Sequence, residues 1–368
     1  MTTTLPGHAR RKSATGLRGR IRAALALAVA AGLTLGAAGC LPVEPGSTGA
    51  PKIALLLPES KTARYEASDR PFFEAKIASL GDYEVLYSNA DQDAAKQQSQ
   101  AEAALASGVK VLVLDPVDSN SAVSIVAAAN AQDVPVIAYD RLVTGGKLAY
   151  YVSFDNENIG VLQATAFAAK LEEDGATGGI LMLNGSPTDP NAPLFKAGAH
   201  SVIDESGLTI LGEYDTPDWS PDKAQDWVAG QITQFDGRIA GIYAGNDGTA
   251  GGAISALKAA NVSPLPIVSG QDAELSGIQR IVAGDQYLTI YKTMRAQAEL
   301  AAEVAVALTN GESVTGESVV DGTPTTLLDA VVVTRENIME TVVADGVFTV
   351  EQICTTEYAA ACAAAGIE

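Results

Sequence analysis

From residue 52 onward, hydrophobic and polar positions alternate on two length scales. Short apolar runs at 52–57, 83–87, 109–114 and 134–139 predict strands. Between them, 69–80, 93–107 and 119–131 predict helices; the first places Phe72, Phe73, Ile77 and Leu80 near helical spacing. The run at 109–114 is apolar at nearly every position, as expected of a parallel strand buried on both faces. After a strand at 151–154 the pattern restarts, with helices at 158–171, 193–206, 221–233 and 248–260 and strands at 179–183, 208–214, 239–243 and 266–270. A helix from Glu274 to Val282 and a strand at 287–291 follow. Two successive βα arrays predict an α/β fold of two doubly wound parallel-sheet lobes. The remaining helix at 293–310 and segments at 325–333 and 337–347 are too few for a third domain. The expected division is 52–156 plus about 293–325 for the N-terminal lobe, and 157–292 plus about 326–350 for the C-terminal lobe. Residues 351–368 form a tail.

The start of the chain does not fit this pattern. Basic residues ending at Arg22 precede an apolar stretch, 23–35, that is too short to span a bilayer comfortably. Ala37-Ala38-Gly39-Cys40 then places small residues directly before a cysteine. Residues 1–39 read as an export signal. The junction is similar to a bacterial lipobox, which implies lipid on Cys40, a tether at 40–51, and a membrane-anchored protein on the extracytoplasmic face. Cys354 and Cys362 in the tail then admit a disulfide, with two separate thiols as the alternative.

Charge and composition remove several classes of function. The formal net charge is −20, and the six basic residues of the leader mask a further excess of acid in the remainder. Such a surface repels nucleic acid. With only His8 and His200, a histidine metal site or a Ser-His-Asp triad has little support, and no metal or cofactor is expected. The glycine-rich run from Gly245 to Gly252 lacks both the dinucleotide fingerprint and the phosphate-loop lysine, so it predicts close helix packing.

The candidate chemistry lies where strands end. Arg64-Tyr65, Asp140-Arg141, Asp189 with Asn191, Asp218-Trp219, Asn246-Asp247, Asp272 and Lys292 each follow a predicted strand, at the edge where α/β sheets form crevices. Planar polar side chains hold vicinal hydroxyls, and an aromatic face packs on the C–H face of a pyranose, so this mixture suits a sugar. Asp140-Arg141 could equally be a structural ion pair and Trp219 a core residue; Trp227, inside a helix, reads as packing. Asp140 with Asp272 could be a glycosidase pair, although nearby cations would keep both ionised and leave no proton donor.

Several runs carry a resemblance: Ala138-Tyr139-Asp140-Arg141, Ser153-Phe154-Asp155-Asn156-Glu157, Gly185-Ser186-Pro187, Leu194-Phe195-Lys196-Ala197-Gly198, Asn246-Asp247 with the glycines after it, and Ser269-Gly270-Gln271-Asp272-Ala273. Over roughly 52–346 the chain resembles the periplasmic sugar-binding proteins of ABC transporters, type I fold, and among them those that bind D-xylose. The resemblance implies two lobes joined by three crossover strands and a hinge closure over one monosaccharide. It also implies delivery to an ABC-transporter permease, a monomer, and no enzymatic activity. Implied ligand contacts fall on Arg64, Asp140, Arg141, Asp189, Asn191, Asn246, Asp272 and Lys292, with stacking from Tyr65 and Trp219. Asp140, Arg141 and Asn191 are expected in or near one lobe's edge of the cleft or at its mouth, and Asp272 and Lys292 around the opposing edge and hinge. Tyr65 stands where the xylose-binding pattern has tryptophan. Alternatives are an extracytoplasmic glycoside hydrolase, or a receptor for arabinose, ribose or glucose.

Overall fold

The structure is a computed structural model that describes residues 49–367; Cys40 and the expected leader lie outside them. In chain order the elements are β1 (Lys52–Leu57), α1 (Arg70–Leu80), β2 (Glu84–Asn89), α2 (Ala94–Ala106), β3 (Val111–Leu114), α3 (Val123–Asn130), β4 (Val136–Tyr139), β5 (Tyr150–Phe154), α4 (Asn156–Glu173), β6 (Gly179–Asn184), α5 (Ala192–Ile203), β7 (Thr209–Asp215), α6 (Pro221–Phe235), β8 (Ile239–Ala244), α7 (Asp247–Ala259), β9 (Ile267–Val268), α8 (Leu275–Ala283), β10 (Thr289–Lys292), α9 (Met294–Thr309), β11 (Ser318–Val320), β12 (Thr323–Leu328), β13 (Ala330–Val333), α10 (Val350–Ile353) and α11 (Ala359–Ala365).

Local signals explain many of the boundaries. Asp93 caps α2, its carboxylate accepting the N–H groups of Ala95 and Lys96. Ser220 caps α6, and Pro221 fills its first position, where a missing N–H costs nothing. Gly284, at φ 85°, ends α8 in the left-handed conformation.

Two parallel sheets form the lobes. The first runs β11-β12-β5-β4-β3-β1-β2, with only β11 antiparallel; the second runs β7-β6-β8-β9. In β1, Ile53, Leu55 and Leu57 face a core that includes Phe73 of α1 and Ala298 of α9, while Ala54 and Leu56 face α2 and α3. In β6, Ile180 and Met182 meet Phe167 and Phe195, and Leu181 and Leu183 meet α6 and α7. Burial on both faces is why these strands read as unbroken apolar runs.

Strands β10 and β13 form a separate two-stranded sheet, and the chain leaves or enters the seven-stranded sheet's lobe three times, after β5, after β10 and at Asp329 between β12 and β13. The last passage was expected near 325. It falls later because Thr325–Leu328 pairs in parallel with Tyr151–Phe154. The segment 325–333, expected as one piece, is thus two strands in different sheets, and β13 pairs antiparallel with β10. The β11–β12 hairpin had no counterpart in the sequence reading. The tail packs on α8, where Gln279 donates to the carbonyl of Gln352 at 3.1 Å, and Cys354 and Cys362 are bonded to each other.

Two predictions follow from this packing. Helices α4 and α5 touch through facing glycines: a Cβ on Gly198 would stand 1.9 Å from the carbonyl oxygen of Glu157, and one on Gly160 would stand 2.1 Å from that of Phe195. Gly198→Val should destabilise the protein by about 1–3 kcal/mol or more through forced separation of the helices, measured by thermal melting; an unchanged midpoint would contradict this packing. For the tail, intact-mass analysis after alkylation without reductant should find neither Cys354 nor Cys362 modified. Cys354→Ser should cost about 2–3 kcal/mol by the loop-closure relation.

Candidate functional site

The carboxyl ends of the two sheets face each other across one cavity. Arg64, Tyr65, Asp140, Arg141, Asp189, Asn191, Trp219, Asn246, Asp272 and Lys292 all line it, together with Thr62, Phe195 and Gln271. The atom-free space between these residues, part of it open to solvent, is about 280 Å³.

The first lobe contributes a buried guanidinium network. Arg64 is 3% exposed. Its Nε and Nη2 donate to the two oxygens of Asp69 at 2.8 and 2.6 Å, and its Nη1 donates to Asp140 Oδ2 at 2.9 Å. Gln297, arriving from α9, accepts a further bond from Arg64 at 2.7 Å. Tyr139 donates its hydroxyl to Asp69. Burial alone would raise the Asp140 carboxyl, but Arg64, Lys292 and Arg141 together hold it below the usual carboxylate range. Asp140 adopts φ 60°, a left-handed conformation. Its N–H bonds the carbonyl of Val152 at 2.9 Å, and its own carbonyl accepts from Ser153 at 2.6 Å, which holds that geometry.

Arg141 bridges the lobes. Its Nε lies 2.8 Å from Asp189 Oδ2, its Nη1 donates to the carbonyl of Pro116 at 3.1 Å, and its guanidinium sits 5.9 Å from the Tyr65 ring centre. Behind it lies Asp115, fully buried, 3.7 Å from Arg141 Nε, with neither carboxylate oxygen hydrogen-bonded among the described residues. Burial pushes this carboxyl well up.

The second lobe supplies the aromatic wall. Trp219 Nε1 donates to Asp189 Oδ2 at 3.0 Å, and its indole meets Phe195 edge-on at 6.4 Å. A Cβ at Gly185 would lie 2.2 Å from that indole, so only glycine lets the ring approach. Trp219 and Asp272 are also at positive φ, 51° and 90°. Lys292 pairs with Asp272 at 2.7 Å and sits over the rings of Phe154 and Phe195 at 5.7 and 5.4 Å. Asn246 spends its Oδ1 on capping α7, accepting from the N–H of Thr249 at 2.9 Å. Gln271 Oε1 is buried with no hydrogen-bond partner among the described residues.

One placement differs from expectation. Asn191, expected with Asp140 and Arg141 in or near one lobe's edge of the cleft or at its mouth, stands at the N-cap position of α5 on the second lobe, where its side chain leaves the helix uncapped and reaches across. Its Nδ2 donates to Asp140 Oδ1 at 3.0 Å and to the Asp140 carbonyl at 3.2 Å. Direct bonds between the lobes mean that the cleft is closed. Trp227 stacks on Tyr214 at 5.4 Å, away from the cavity. The run from Gly245 to Gly252 does serve helix packing, since a Cβ on Gly252 would stand 2.2 Å from the carbonyl oxygen of Pro221. Asp115 follows β3 as Asp140 follows β4, so the strand-end rule could have found it. Gln297, in the first turns of a helix from elsewhere in the chain, carried no such signal.

A closed cleft between two doubly wound lobes, lined with buried charge and aromatic rings, defines a ligand-capturing protein. Comparison with known proteins agrees. A family model described as periplasmic binding protein domain matches residues 53–313. The D-xylose-binding periplasmic protein of Escherichia coli is 35% identical over 303 residues, covering 80% of this chain and 90% of that protein. The protein of the same description from Haemophilus influenzae is 36% identical over 310 residues, covering 82% and 92%. A crystal structure of an ABC transporter solute binding protein from Clostridium phytofermentans, with bound β-D-glucose, superposes with TM-score 0.75 at 28% identity, covering 82% of this chain and 99% of that one. The chain belongs to the periplasmic binding protein family and has its type I fold.

Proposed function

We propose that this chain is the extracytoplasmic receptor of an ABC transporter that captures one D-xylose molecule in the closed cleft and delivers it to the permease. Its place among sugar-binding transport proteins supports the receptor class, and a binding protein rather than an enzyme. The observation that carries the sugar reading is the cavity itself. It presents carboxylates, guanidinium groups, an ammonium and amides around a small volume, with Trp219 and Tyr65 as flat walls. A hydroxyl-rich ring can satisfy such groups from both sides, and its C–H faces suit the aromatic walls. Identity to the xylose-binding relatives favours a pentose; the glucose in the related crystal structure makes a hexose the second reading. A hydrolase reading loses support because Asp140 sits among cations that keep it ionised, and Asp272 is paired with Lys292. The lobe division set by the sheets, a monomeric state and a lipid anchor at Cys40 complete the proposal.

Calorimetric titration against a panel of monosaccharides tests the ligand. D-xylose should bind with a dissociation constant on the order of micromolar, about −8 kcal/mol; binding of glucose alone would favour the hexose reading. Arg141→Ala and Asp272→Ala should each weaken binding by about ten- to a hundredfold, since each strands a buried partner. Trp219→Ala should cost about as much and remove most of the ligand-induced tryptophan fluorescence change. Trp227→Phe should keep both binding and signal; loss of the signal in that variant would contradict this arrangement. Separately, Cys40→Ser should move the protein from the membrane to the soluble fraction or medium, whereas unchanged membrane association would remove the anchor from the proposal.

A further inference from the structure

We propose that Glu274 is a latch between the lobes, formed only when they close, through which sugar capture is coupled to uptake of a proton. The proposal rests on the sugar-receptor reading and concerns a residue outside the sugar cavity.

Glu274 immediately precedes α8 on the second lobe. Its Oε1 accepts the backbone N–H of Ala63 at 2.9 Å, and Ala63 belongs to the loop after β1 on the first lobe. Both halves of this bond are held in advance. On the first lobe, Glu59 accepts the N–H groups of Lys61 and Thr62 and so shapes the loop. On the second, the N–H of Glu274 donates to Asp247 Oδ2 at 2.8 Å, and Asp247 is fixed by Gln286 at 2.7 Å and Thr289 at 2.9 Å. Opening the cleft would separate Ala63 from Glu274 and return the carboxyl to water. In the closed form it is 6% exposed.

The charged groups around it come from every neighbouring element. Asp247 and Lys258 lie on α7, Arg280 on α8, Asp272 on the same loop, and Lys61 and Arg64 on the facing lobe; Tyr358 of the tail lines the same space. Lys258 is paired with Asp285, and Arg64 with Asp69 and Asp140. Burial, reinforced by Asp247 and Asp272, pushes the Glu274 carboxyl up to about 8, against the Ala63 hydrogen bond and Arg280, which hold it down. In an open cleft it would return toward the ordinary range near ~4.3. The closed form therefore prefers the protonated acid. Closure takes up a proton between those two values, and sugar affinity falls as pH rises through that window, levelling off above about 8. A protonated carboxyl still offers its carbonyl oxygen to Ala63. Burial also raises Asp247, to about 7, but its hydrogen-bond partners all sit on its own lobe, so opening changes its surroundings less.

Calorimetric titration with D-xylose at about pH 6 and about pH 8.5 tests the latch in wild type, Glu274→Gln and Glu274→Ala. Wild type should lose about fivefold or more in affinity between the two. Its binding heat near neutrality should also vary with the ionisation enthalpy of the buffer, reporting proton uptake. Glu274→Gln keeps an acceptor for Ala63 without a charge and should bind equally at both values. Glu274→Ala should bind more weakly than Glu274→Gln at both. A flat wild type, or a Glu274→Gln that keeps the wild-type slope, would overturn the latch while leaving the sugar reading intact. If no sugar in the panel binds at either pH, the sugar reading fails by itself. Small-angle scattering of the ligand-free chain then decides the latch: a radius of gyration larger at the higher pH in wild type but not in Glu274→Gln supports it, and equal values in both overturn it.

Discussion

Charge taken out of water needs a partner, and the site is built around that requirement. Arg64 enters the first lobe with Asp69 on one side and Asp140 on the other, and Gln297 closes the set. An isolated guanidinium at this depth would carry a desolvation penalty of several kcal/mol. Held by two carboxylates, it instead keeps Asp140 ionised and oriented toward the cavity. Arg141, Asp189, Lys292 and Asp272 repeat the arrangement on and across the other wall. The cavity is therefore polar, yet its polar groups are already aimed. Such preorganisation lowers the cost of ordering when a small polar ligand binds.

The same pairing explains why two lobes are needed. Arg141 meets Asp189 across the cleft, and Asn191 meets Asp140 in the same way. Each of these contacts joins one lobe to the other, so the closed arrangement pairs groups that either lobe alone would leave to solvent. The left-handed conformations of Asp140, Trp219 and Asp272 place backbone strain at the same spot. Gly185 has a matching role, since a side chain there would stand in the place of the Trp219 indole.

Much of the fold was legible in the chain because its sheets are buried on both faces. A doubly covered parallel strand must be apolar throughout, and a covering helix must show one apolar face, so 52–292 reads as an ordered series of βα units. Proximity of the strand-end residues was legible for a related reason: parallel strands in one sheet all end on the same side. That argument covers Asp140 and Asp189. It reaches Asp115 as well, and it misses Gln297, whose helix returns to the first lobe from far along the chain.

What the sequence determined by itself was therefore local and periodic: the succession of elements, their caps, and the set of residues at strand ends. Only the tertiary structure decided which side of the cleft each residue occupies and with which it pairs. Asn191 shows the difference, since its position after β6 put it at a strand end but did not assign its partner on the other lobe. The split of 325–333 at Asp329 shows it again, because either half could have joined either sheet until the pairing of β12 with β5 and of β13 with β10 was formed. Pairing depends on contacts between residues remote in sequence, and no spacing along one chain encodes which two of several like-charged or like-shaped partners will meet.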